Sequence, residues 1–127
     1  MLSKSFFDSY SLMMKKVIVQ DTNCDLLETL TFLLEEASFE VLPILHYKDV
    51  VSLISVFNPH LILLDFRLSG EESVSVCTAI KEGFPSLPVV ALSCNHNIQT
   101  EYVKAGFDDY ITKPFDIDHL FMVLQKY

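Results

Sequence analysis

The chain has 127 residues, 50% of them hydrophobic, which fits one domain with a buried core. Nine Lys and Arg residues against seventeen Asp and Glu residues give a formal net charge of −8, which disfavours direct binding to nucleic acid or to an anionic membrane. The three cysteines contain no C-x-x-C pair, so we expect reduced thiols in a cytoplasmic protein rather than a disulfide framework or a zinc site.

Residues 1–14 precede the first predicted strand and lack the features of a targeting segment. They contain one lysine, and the Phe6-Phe7 pair belongs to no apolar run long enough for a signal peptide or a membrane anchor. We therefore assign residues 1–14 to an N-terminal extension and residues 15–127 to one folded domain.

Strand and helix patterns alternate along the chain. Apolar runs predict five strands, at residues 17–19, 39–45, 61–64, 87–93 and 109–112. Apolar residues at three- and four-residue spacing predict five helices, at residues 23–37, 48–57, 71–83, 98–105 and 116–126. Pro43 cannot donate to a central ladder, so its strand is expected at the sheet edge. Long crossovers between successive strands predict right-handed βαβ units and an α/β fold.

The central feature is the aliphatic run Leu61 to Leu64, which ends abruptly at Asp65. A run without alternation predicts a strand buried on both faces, in the middle of a parallel sheet. Binding sites in open α/β sheets lie beyond the carboxyl ends of the strands, which is where Asp65 falls. An ionised carboxylate there is costly unless a cation compensates its charge.

Three further strands also end in polar residues, namely Asp21, Ser93 and Lys113. Two neighbouring carboxylates repel, and Mg²⁺ relieves this repulsion with oxygen ligands and water. A carboxylate can also act as a nucleophile toward phosphorus, while a lysine and a hydroxyl bind the transferred group. The four strand ends therefore predict phosphoryl transfer onto Asp65.

From Lys16 to Tyr127 the chain resembles a receiver domain of the two-component response regulator family, in its single-domain, chemotaxis-regulator-like form. The stretches that carry the resemblance are 17–21, 61–65, 89–93 and, most specifically, 109–115. The resemblance implies a flavodoxin-like, doubly wound parallel sheet of five strands in the order 2-1-3-4-5, with five helices.

The resemblance also implies roles for individual residues. Asp65 is the phosphoacceptor, Lys113 binds the phosphoryl group and Ser93 is the switch hydroxyl. Asp21, Asp65 and the backbone carbonyl of Arg67 would bind Mg²⁺. Tyr110 matches the switch aromatic, and the Lys113-Pro114 peptide bond is expected to be cis.

The implied partners are a histidine kinase or phosphotransfer protein as donor and a separate downstream target, since the sequence ends after the fifth helix. The apolar residues Phe121, Met122 and Val123 predict that a target or a second copy binds the face made by the fourth helix, fifth strand and fifth helix. The protein would hydrolyse its own aspartyl phosphate slowly and turn over no external substrate.

The sequence departs from the family pattern at several positions. Gln20 replaces the first of two acids, so Mg²⁺ should bind more weakly, and Gln20→Asp should tighten it. Ser69 and Ser73 replace a proline and a glycine in the loop after Asp65. The Arg67 side chain would face the phosphoryl group and slow its hydrolysis.

These departures keep two alternatives open. One is a pseudo-receiver, an interaction module that is not phosphorylated. The other, less favoured, is an aspartate-nucleophile phosphatase, a class that needs a second acid where Arg67 stands. Flavin or dinucleotide binding is disfavoured because three glycines supply neither G-x-G-x-x-G nor a P-loop.

Overall fold

The computed structural model describes residues 14–67 and 71–127. The strands are β1 (Lys16–Gln20), β2 (Glu40–Ile44), β3 (Leu61–Asp65), β4 (Val89–Ser93) and β5 (Asp109–Thr112). The helices are α1 (Cys24–Glu36), α2 (Val50–Phe57), α3 (Glu71–Gly83), α4 (Ile98–Lys104) and α5 (Ile117–Leu124). A short 3-10 helix, Tyr47–Asp49, leads into α2.

The five strands form one parallel sheet in the order β2-β1-β3-β4-β5. This confirms the predicted flavodoxin-like topology, with strand β2 at one edge. Pro43 lies in β2 opposite Val19 of β1. The edge position explains why a residue without an N–H group is tolerated there.

The sheet separates two hydrophobic clusters, because successive side chains of a strand point to opposite faces. Ile18, Ile62 and Leu64 pack on one face with residues of α2 and α3. Val17, Leu61 and Leu63 pack on the other face with residues of α1 and α5. Every residue of β3 is buried, as predicted for a central strand covered on both faces.

Local signals fix several helix ends. The Asn23 side chain accepts from the Leu26 N–H group at 3.1 Å and caps α1. Asp116 likewise accepts from Asp118 N at 2.9 Å at the start of α5. Helix α2 ends at Asn58, which has a left-handed φ of 56°. The observed strand β4 begins at Val89, two residues later than predicted.

Two predicted features lie outside the described residues: most of the N-terminal extension, 1–13, and Ser69. Within the described segments, no helix is long and apolar enough to cross a membrane.

Candidate functional site

The carboxyl ends of β1, β3, β4 and β5 converge on one cleft. Its walls include all four residues predicted from the strand ends, Asp21, Asp65, Ser93 and Lys113. Parallel strands bring their carboxyl ends to the same edge, so residues far apart in sequence meet there.

Lys113 joins the two acids. Its Nζ atom lies 2.7 Å from Oδ2 of Asp21 and 2.8 Å from Oδ1 of Asp65. The two carboxylate side chains are only 2% and 4% exposed, so their charges are poorly solvated. Burial lowers the pKa of Lys113, but hydrogen bonds to both acids and their charges outweigh it, and the pKa is raised overall. The ammonium group therefore remains charged and offsets the repulsion between the acids.

Arg67 supplies a second cation beside Asp65. Its Nε atom lies 3.2 Å from Oδ2 of Asp65, so each oxygen of that carboxylate contacts a cation. The hydrogen bond with Asp65, and then its charge, raise the pKa of Arg67. Because the Arg67 side chain is 61% exposed, solvent screens this pair and leaves the guanidinium able to move aside.

Ser93 ends β4 with its side chain buried at the cleft. The Ser93 hydroxyl accepts from the Asn95 N–H group at 3.0 Å, and the Ser93 carbonyl accepts from Lys113 N at 2.8 Å. These bonds fix the ends of β4 and β5 relative to each other. The Lys113-Pro114 peptide bond that follows is cis, as the family resemblance implied.

Tyr110 lies apart from the cleft walls, half-buried between β5 and its helices. Its ring centroid is 5.0 Å from that of Tyr102 in α4 and 6.2 Å from that of His119 in α5. The predicted switch aromatic is thus packed at the junction of α4, β5 and α5.

Gln20 has a different environment from the one expected. We predicted that its amide would face the metal site, but Gln20 is fully buried and is not among the residues that line the cleft. Its Nε2 donates to the Leu45 carbonyl at 3.0 Å, and its Oε1 accepts from the Asp65 N–H group at 3.2 Å. Aspartate in place of Gln20 would remove the donor to Leu45 as well as add a charge.

Tyr47 was missed in the sequence analysis. Its hydroxyl donates to the backbone carbonyl of Asp65 at 2.7 Å, from a ring that is 6% exposed. Burial, followed by the Asp65 charge, raises the pKa of Tyr47, so the hydroxyl stays a donor well into alkaline conditions. A tyrosine in the turn after an edge strand carries no periodic signal that would have revealed this contact.

The predicted partner face needs a correction. Val123 is only 1% exposed and Phe121 is half-buried, because both pack on the sheet. Of the three residues that suggested the face, Met122 alone is strongly exposed, at 55%. Val103 of α4 and Ile117 of α5, at 65% and 50% exposed, are the other large apolar side chains exposed on the helices of this face.

Ser73, which the sequence analysis assigned to the loop after Asp65, lies instead in the first turn of α3, where it is buried.

Removing the charge of Lys113 should destabilise the fold at neutral pH. We expect Lys113→Met to lower the free energy of unfolding by about 2 kcal/mol at pH 7, somewhat less than for a fully buried pair. Without the ammonium, the two buried carboxylates lie uncompensated in the folded state, and protonation at low pH removes their charge. The deficit should therefore shrink as the pH falls from 7 towards about 4.

Urea unfolding of both proteins across this pH range checks the expectation. Lys126→Met is a matched control, because the Lys126 ammonium pairs with Asp109 at 2.9 Å but is 54% exposed. Equal effects of the two substitutions, or a deficit independent of pH, would show that Lys113 does not compensate buried charge.

Comparison with known proteins agrees with this geometry. Residues 17–125 match the family model described as response regulator receiver domain. Among solved structures, the receiver domain of NtrX from Brucella abortus has a TM-score of 0.77 and 27% identity, covering 87% of this chain and 95% of that one. A CheY-like receiver domain protein from Methanospirillum hungatei has a TM-score of 0.77 and 19% identity, covering 89% and 92%.

A longer NtrX chain from Brucella abortus, in complex with ATP, has a TM-score of 0.80 and 27% identity over 90% of this chain. This chain spans 27% of the length of that longer chain. Since the family model covers most of the sequence and the strand ends form the expected cleft, the chain belongs to the response regulator receiver domain family.

Proposed function

We propose that the protein accepts a phosphoryl group on Asp65 from a histidine kinase or phosphotransfer protein and signals to a separate partner. The observation that carries the proposal is the Lys113 ammonium held between the carboxylates of Asp21 and Asp65. A carboxylate at a cleft, beside a cation, is suited to attack phosphorus.

In the proposed step, an Asp65 carboxylate oxygen forms a bond to phosphorus while the bond between phosphorus and the donor's leaving atom breaks. The electron pair of that bond departs with the leaving group, and an acyl phosphate remains on Asp65. Lys113 and Arg67 neutralise the oxygens that gather charge. Arg67 also covers one approach to the new acyl phosphate, which would slow its hydrolysis by water.

Mg²⁺ is the cofactor that the family resemblance implies. The residues at the cleft offer it oxygen ligands but few carboxylates. Asp21, Asp65 and the Arg67 carbonyl offer oxygen atoms, which Mg²⁺ prefers together with water. Among the described residues, no group of three or more His, Cys, Asp or Glu side chains forms a metal site. When bound, the ion would add positive charge beside the phosphoryl oxygens. Because the chain supplies only two carboxylates for the ion, we expect it to bind Mg²⁺ weakly.

We also infer that the protein is cytoplasmic and that it is not an enzyme acting on an external substrate. The free thiols of Cys24, Cys77 and Cys94 suit the reducing cytoplasm. The family is one of signalling domains, and we infer that the protein turns over only its own acyl phosphate. A phosphatase role is disfavoured because Arg67 pairs with Asp65 where that class needs an acid.

One observation favours the pseudo-receiver as the second candidate. The Gln20 amide is committed to the backbone of Leu45 and Asp65. The site therefore lacks an acid at this position, and with it part of the attraction for a divalent cation. The two candidates differ in whether Asp65 becomes phosphorylated.

Intact mass after incubation with acetyl phosphate and Mg²⁺ separates them. We expect wild type to gain one phosphoryl group and Asp65→Asn to gain none, because the amide is not a nucleophile toward phosphorus. Asp25→Asn, which alters an exposed acid on α1, is the matched control and should behave as wild type. A gain that survives Asp65→Asn would place the modification elsewhere, and no gain in wild type would support the pseudo-receiver.

The second expectation concerns the switch. An acyl phosphate adds about −1.5 to −2 charge beside Ser93 and Lys113, so the Ser93 hydroxyl should leave Asn95 N for the phosphoryl oxygens. Movement of β4 and β5 would then turn Tyr110 inward. We expect beryllofluoride to shift the amide resonances of Ser93 and Tyr110, and Ser93→Ala to abolish the Tyr110 shift. Unchanged resonances in wild type would contradict the switch.

A third expectation concerns the partner face, which is formed by α4, β5 and α5. We propose that the phosphorylated form associates through this face, on whose helices Met122, Val103 and Ile117 are exposed. Sedimentation velocity with beryllofluoride should show association of wild type that Met122→Glu abolishes, because a charge would be buried at the contact. Val56→Glu on α2, where Val56 is 76% exposed, is the matched control. If Met122→Glu and wild type sediment alike, the face is wrongly chosen.

A further inference from the structure

Both backbone polar groups of Asp65 are hydrogen-bonded to buried side chains. The Asp65 N–H donates to Gln20 Oε1 at 3.2 Å, and the Asp65 carbonyl accepts from the Tyr47 hydroxyl at 2.7 Å. The last paired residue of β3 on the β1 side is Leu64, opposite Gln20.

The direction of the Asp65 peptide groups follows from strand geometry. Ile62 and Phe66 donate to Pro88 and Leu92 across the boundary with β4, at 3.0 and 2.8 Å. Because successive residues in a central strand direct their peptide groups to opposite neighbours, those of Asp65 point toward β1. The parallel ladder ends at the pair Gln20–Leu64, and beyond it the Asp65 carbonyl accepts from the Tyr47 hydroxyl.

The two side chains are themselves held firmly. Gln20 is fully buried and is anchored through Nε2 to the Leu45 carbonyl at 3.0 Å. Tyr47 is 6% exposed and lies in the 3-10 helix that follows Leu45. Both groups thus connect the turn after β2 to the main chain of Asp65. A phenylalanine would fill the same space as Tyr47, so packing alone does not explain the hydroxyl.

We propose that Gln20 and Tyr47 are positioning residues: they fix the main chain of Asp65 and so hold its carboxylate at Lys113 and Arg67. A carboxylate follows its own backbone, and small misplacements of a reacting group lower rates strongly. The effect on phosphorylation rests on the proposed function, whereas the effect on the geometry of Asp65 does not.

The sequence allows a direct test, because Asp65-Phe66 is its one Asp-Phe pair. Labelling with ¹³C at the aspartate carbonyl and ¹⁵N in phenylalanine gives a single resonance for this peptide group. We expect Tyr47→Phe to move the Asp65 carbonyl carbon upfield, as loss of a hydrogen bond does, and Tyr102→Phe, the matched control, to leave it in place. Gln20→Met should instead shift the Asp65 amide. A carbonyl resonance that stays fixed in Tyr47→Phe overturns the proposal.

The effect on function is tested by measuring the rate at which acetyl phosphate phosphorylates the protein. Tyr47→Phe should slow phosphorylation at saturating donor about fivefold, the effect of one lost hydrogen bond, while the half-saturating donor concentration stays unchanged. An unchanged rate together with a shifted carbonyl would also overturn the positioning role.

If wild type takes no phosphoryl group, the proposed function fails, yet positioning can still be decided. The Asp65 side-chain carboxyl carbon then serves as the readout. It should shift in Tyr47→Phe as the contacts with Lys113 and Arg67 change, and it should stay fixed if Tyr47 only fills space.

Discussion

The constraint on which the site depends is the burial of two carboxylates at one sheet edge. Asp21 and Asp65 are almost fully buried, and each would raise the cost of ionising the other without a nearby cation. Lys113 meets both through a side chain that comes from β5, two strands away from β3. The strand order therefore determines the charge balance of the site, because it brings Lys113, after the last strand, to Asp21 and Asp65 at the ends of the first and third strands.

A second constraint is the early end of β1. After Gln20 the chain turns into α1, and Asp21 Oδ1 accepts from Asn23 N at 2.9 Å within that turn. This turn places Asp21 at the cleft, and beyond the last pair of β1 and β3 the Asp65 carbonyl accepts from the Tyr47 hydroxyl. Buried peptide groups need partners, and Gln20 and Tyr47 provide them. The position of Asp21 at the cleft and the side-chain support of the Asp65 backbone thus both lie where β1 ends.

The sequence was sufficient to predict the features that rest on strand ends. Asp21, Asp65, Ser93 and Lys113 were found because apolar runs mark the strands and parallel strands end together. The direction of the Gln20 side chain could not be predicted in this way, since it depends on where β1 stops relative to β3. Tyr47 depends on a turn whose path has no periodicity. Val123 was misplaced because a helix packed on a sheet is apolar over more than one face.

The charged side chains at the cleft are balanced in number. Asp21 and Asp65 carry two negative charges, and Lys113 and Arg67 offer two positive ones within 3.2 Å. Gln20 adds no charge. A locally balanced cleft attracts a divalent cation less than an acid-rich one would, and it repels an anionic phosphoryl donor less. If Asp65 is converted to an acyl phosphate as proposed, the added negative charge would arise beside Lys113 and Arg67, which already contact its carboxylate. Under the proposed function, Gln20 in place of an acid and the presence of Arg67 would therefore act in the same direction: both would shift compensation of the phosphoryl charge from a bound ion towards the protein's own side chains.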